Sequence, residues 1–91
     1  MYIVEFIAKH IESTFRRKTF SSPRTMHDFI CCFELKEGKA YSFYDSKLER
    51  FTAYFCRLSY FSKNEDFGFK LFFDIASSTF NNEKDSQNQV F

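Results

Sequence analysis

Leu48-Glu49-Arg50-Phe51-Thr52-Ala53-Tyr54-Phe55-Cys56-Arg57-Leu58-Ser59-Tyr60-Phe61 is the stretch on which the fold turns. Leu48, Phe51, Phe55 and Leu58 fall at helical spacing, and Ser46-Lys47-Leu48-Glu49 has the form of a capping box. Against this, Phe51 to Cys56 and Tyr60-Phe61 are rich in residue types that favour strands. The preferred reading is a strand. A helix here is the alternative, and it matters because a helix would cover a sheet face that a strand leaves bare.

Downstream, Ser62-Lys63-Asn64-Glu65-Asp66 reads as a hairpin loop. It leads into a strand in which Phe67, Phe69, Leu71, Phe73 and Ile75 occupy every second position. Upstream, residues 28–35 alternate, with Phe29, Cys31, Phe33 and Leu35 opposite Ile30, Cys32 and Glu34. Glu37-Gly38 then makes a tight turn into a strand at 40–44. Residues 2–18 read as a helix, because Ile3, Ile7, Ile11 and Phe15 recur every four residues with Val4 and Ala8 beside them. Ser21-Ser22-Pro23 ends that helix. The expected fold class is α+β, an N-terminal helix packed on a small antiparallel sheet in the order α-β-β-β-β, with α-β-β-α-β as the alternative. Residues 1–76 form the domain, and the polar stretch 77–91 reads as a flexible tail.

Leu, Ile, Val and Phe make up 26 of 91 residues, and Phe alone contributes 15, so a packed core is within reach. A net charge of +1 excludes a polyanionic nucleic-acid mimic and a strongly basic coat protein. The charge is uneven: residues 1–27 carry +3, concentrated at Arg16-Arg17-Lys18 and Arg24. Three cysteines, two of them adjacent, give no closed disulfide framework, and with no apolar run long enough to span a membrane they point to a reducing cytoplasm.

Candidate chemistry is sparse. Cys31 and Cys32 on a strand would leave opposite faces and could not share a metal, so they read as small core hydrophobes. His10 and His27 stand alone, acids are interspersed with bases, and no phosphate-binding glycine loop occurs. No catalytic residue, metal or cofactor is expected, and the chain is read as a non-enzyme. Phe67-Gly68-Phe69, followed by Phe72, resembles the middle of the RNP1 signature of RNA-recognition motifs at four of eight positions. Glu65-Asp66 stand where that signature begins basic-Gly, and Lys70 replaces its valine. The resemblance implies aromatic stacking on bases.

One helix covers one sheet face. The other face would expose Ile30, Cys32, Tyr44 and Phe72, with either Tyr54 and Tyr60 or Phe51 and Phe55. The expected function is a small protein-binding modulator or inhibitor, by size and character comparable to phage-encoded anti-defence proteins such as anti-CRISPRs. Its partner surface is Arg16, Arg17, Lys18, Arg24, Tyr44, Tyr54, Tyr60 and Phe72. A homodimer anchored on Phe72 is one way to bury that face. The alternative function is a single-stranded RNA- or DNA-binding module, with sheet aromatics for the bases and the basic loop for phosphates.

Overall fold

The first element is a strand. The computed structural model describes residues 1–76. In it, Tyr2–Ala8 (β1) pairs antiparallel with Ser13–Phe20 (β2) and parallel with Asp66–Ile75 (β5). Arg50–Lys63 (β4) pairs antiparallel with β5 and with Ala40–Tyr44 (β3), so the sheet order is β2-β1-β5-β4-β3. One helix, Pro23–Phe33 (α1), lies between β2 and β3 in the chain. The expected N-terminal helix on an antiparallel sheet is therefore corrected to a mostly β, five-stranded mixed half-barrel with one short helix. The expected tail at 77–91 lies outside the described residues.

The N-terminal helix fails for a physical reason. A four-residue repeat is two strand periods as well as about one helical turn, so Ile3 and Ile7 share a strand face equally well. Tyr2-Ile3-Val4-Glu5-Phe6-Ile7 is also a nearly continuous apolar run, rich in strand-favouring types. It suits a strand buried on both sides: Ile3 and Ile7 are buried on one face, Val4 and Phe6 on the other.

Pro23 starts the helix instead of ending one. Proline at the first helical position loses no hydrogen bond there. Ser22 is the N-cap: its Oγ accepts from the Thr25 amide at 3.2 Å. Met26, Phe29, Ile30 and Phe33 then make the inward stripe at helical spacing. The expected strand at 28–35 is thus the second half of this helix and its C-terminal cap, and Cys31 and Cys32 are exposed on its outer side rather than packed in the core. Glu34 closes the helix in the left-handed region (φ 49°), and the Tyr41 hydroxyl donates to the Phe33 carbonyl at 3.1 Å.

The stretch that opens the sequence reading is the strand β4. Ser46-Lys47-Leu48-Glu49 caps no helix; it forms the β3–β4 turn, where Asp45 Oδ1 accepts from the amides of Lys47 (2.8 Å) and Glu49 (3.0 Å).

The sheet curls around its concave face. Phe15 on edge strand β2 reaches Phe43 at 5.2 Å and Phe51 at 5.6 Å between ring centroids, although β3 lies at the opposite edge. A bulge makes this contact possible. Phe6 pairs with Arg16 and Ile7 with Thr14, so Phe15 is the extra residue and turns inward. Phe6, at 0% exposure, touches Phe15, Phe29, Phe33, Phe43 and Phe73, mostly edge to face. Helix α1 roofs this aromatic cluster.

Candidate aromatic groove and the two sheet faces

Helix α1 has 11 residues, whereas β4 has 14 and β5 has 10. At about 1.5 Å per residue the helix is roughly 16 Å long, and the β4–β5 hairpin, at about 3.3 Å per residue, outruns it. Concave surface beyond the first turn of α1 is left uncovered. A groove of about 440 Å³ lies there, lined by Pro23, Met26 and His27 on the helix side and by Tyr60–Ser62 and Phe67–Phe69 on the hairpin side.

Phe69, buried, is the floor. The Tyr60 ring leans over it at 4.8 Å, and the His27 ring meets it edge-on at 5.4 Å. Phe67 stacks on Tyr2 at 6.2 Å and remains 46% exposed, while Tyr60 is 75% exposed. Among the described residues no Lys, Arg, Asp or Glu lines the groove. Its chemistry is that of an apolar, aromatic receptor with one imidazole (His27) and two hydroxyl side chains (Tyr60 and Ser62).

The residues expected to form one partner surface are divided between two faces. Tyr54 and Tyr60 have the same parity, yet a bulge lies between them. Phe55 pairs with Phe73 and Arg57 with Phe72, so Cys56 is the extra residue and reverses which side the following residues face. Tyr60 therefore lies in the concave groove. Tyr44, Tyr54 and Phe72 lie on the convex face, which carries no helix among the described residues. Phe72 does face away from the core, as its strand parity requires. It is only half-buried by the sheet, and the Arg57 guanidinium covers its ring at 3.9 Å. Lys70 lies over Phe61 at 5.7 Å on the same face.

The basic run is similarly dispersed. It is not a loop but part of β2, where alternation sends Arg17 to the convex face and Arg16 and Lys18 to the concave one. Arg17 Nε lies 3.6 Å from Glu5 Oε2. Arg16 sits over Phe43 at 5.5 Å and Lys18 over Phe29 at 5.1 Å. Arg24 is exposed in the first turn of α1, close to the groove in sequence but absent from its lining. His10 is in the exposed β1–β2 turn, and His27 is on helix α1.

Sequence reading missed His27, Met26 and Phe67 as site residues. The signal was present in part: Phe67 shares parity with core residues, and only the missing roof leaves it accessible. The stretch resembling RNP1 places Phe67 and Phe69 on the concave face and Phe72 on the convex one, so the three rings form no common stacking surface.

Cys56 donates from Sγ to Asp74 Oδ2 at 3.4 Å, and burial followed by this bond raises its thiol above the ordinary value of 9.0. Among the described residues no group of three or more His, Cys, Asp or Glu is arranged to hold a metal ion, and no helix is long and apolar enough to cross a membrane. Comparison with protein-family models, curated proteins and solved structures gives no significant match.

Proposed function

We propose that this chain is a non-enzymatic protein-binding module that modulates or blocks its partner by occupying it. It takes an apolar side chain or short apolar segment of that partner into the groove between α1 and the β4–β5 hairpin. The observation that carries this reading is the pair of exposed rings, Tyr60 and Phe67, set beside a buried aromatic floor in a groove that no charged side chain lines among the described residues. Aromatic side chains with little rotamer entropy to lose are the residues on which protein interfaces concentrate their binding free energy. A nucleic-acid reading would need cations beside those rings, and Arg16, Arg17 and Lys18 stand on β2, divided between both faces and outside the groove lining.

The test is affinity capture from nuclease-treated cell lysate with wild type and with a Tyr60→Ala/Phe67→Ala variant. Both rings are exposed, so the variant should keep its circular dichroism and melting behaviour. Protein partners should be retained by wild type and lost by the variant, with each ring contributing about 2 kcal/mol. Loss of every partner on nuclease treatment would overturn the reading, as would equal capture by the variant.

A further inference from the structure

Among the described residues, strand β2 lies at one edge of the sheet, with β1 on one side and no strand on the other. Among those residues its outer edge presents backbone N–H and C=O groups without sheet partners, and its centre carries Arg16, Arg17 and Lys18, all exposed. Arg17 has Glu5 nearby. Arg16 and Lys18 lie over aromatic rings, which orient the cations without neutralising them. Neither has a carboxylate within 4 Å among the described residues.

We infer that this edge accepts a sixth strand, an extended segment of the partner protein carrying three consecutive acidic residues. The inference rests on the protein-binding reading above and names the chemistry of the partner. Added-strand recognition draws affinity from main-chain hydrogen bonds and specificity from the alternating side chains. The cations of β2 alternate concave, convex, concave. Three successive acids on a neighbouring strand alternate in the same way, so each carboxylate comes alongside a cation at cross-strand distance. A second copy of the chain is a poor occupant. Antiparallel β2–β2 pairing would set Arg16, Arg17 and Lys18 against themselves, and directly opposed like charges destabilise a sheet. The other edge, β3, is only five residues long and has no charged residue within it, so it offers an acidic strand no such pairing.

The experiment is an NMR titration of the ¹⁵N-labelled protein with two synthetic peptides, Thr-Val-Glu-Glu-Glu-Val-Thr and its counterpart with three lysines. The acidic peptide should shift the amides of residues 13–20 and slow the exchange of β2 amides that otherwise face solvent. It should bind at least tenfold more tightly than the lysine peptide. An Arg16→Glu/Arg17→Glu/Lys18→Glu variant, checked for fold by circular dichroism, should reverse that preference. The Tyr60→Ala/Phe67→Ala variant should still bind the acidic peptide at β2, so failure of the groove and failure of the edge are read separately. Equal response to both peptides would mean that the charges merely guard the edge, and would overturn the inference. So would shifts without slowed exchange, a response centred on Tyr60 and Phe67, or β2 shifts that grow with protein concentration in the absence of peptide. Single-stranded oligothymidylate acting on β2 at lower concentration than the acidic peptide would replace it with a polyanion site.

Discussion

Cys56 shows how one residue sets both geometry and chemistry. As the bulge residue of β4 it reverses the facing of everything from Arg57 to Lys63, and its thiol reaches Asp74 on β5. Burial and that hydrogen bond raise its pKa, so the protonated form is favoured in the folded state. Alkylation at neutral pH should label exposed Cys31 and Cys32 well before Cys56, which peptide mapping by mass spectrometry would show. The sign of the pH effect follows. The folded thiol has a higher pKa than the unfolded one, so its stabilisation is present below about pH 9 and is lost as pH rises through the folded value. Tyr41, raised chiefly by burial from 10.0, extends the same trend to higher pH. The melting temperature should fall on the alkaline side, and Cys56→Ala should remove the earlier part of the fall. Gly68 is the other residue with a single explanation. A methyl group there would overlap the Ile3 carbonyl oxygen on the neighbouring parallel strand. Gly68→Ala should cost about 3 kcal/mol by urea unfolding, the upper end of overpacking penalties. Gly38→Ala meets open space and only the strain of φ 85°, about 1 kcal/mol.

At the scale of elements, α1 is held at both ends by polar contacts and along its length by an aromatic stripe. Ser22→Ala removes the cap on the Thr25 amide and should cost about 1 kcal/mol, read as a shift in the urea midpoint at constant slope. The groove depends on this terminus, because Pro23, Met26 and His27 form its wall. A frayed first turn should therefore weaken partner capture even with Tyr60 and Phe67 intact. This helix was hard to read from sequence for two reasons. Phe29, Cys31, Phe33 and Leu35 satisfy a two-residue period, while Met26, Phe29, Ile30 and Phe33 satisfy the helical one. Proline, moreover, is as compatible with a helix start as with a helix end. The cap geometry settled what spacing left open. By contrast, Phe67 to Ile75 reads as a strand in only one way, since five alternate apolar positions fit no helical face.

At the scale of the molecule, contact between the two ends of the sheet makes a half-barrel from a five-stranded ribbon. Phe15 spans that gap, and Phe15→Ala should cost about 3 kcal/mol and reduce the near-ultraviolet dichroism of the aromatic cluster. Composition by itself determined that a core could form and that it would be built from phenylalanine. Local patterning determined β3 and β5, because alternation acts over a few residues; it left 48–61 open between strand and helix, and the hairpin loop read at Ser62–Asp66 is tightened by pairing of Lys63 with Asp66. Only the tertiary structure decided that residues 2–8 form an interior strand, since a four-residue spacing satisfies both periods and burial on two faces is a property of neighbours. It also decided the division of the aromatic and basic residues. Two bulges, at Phe15 and Cys56, change which side the chain faces, and a bulge is specified by pairing with another strand rather than by the residues within it.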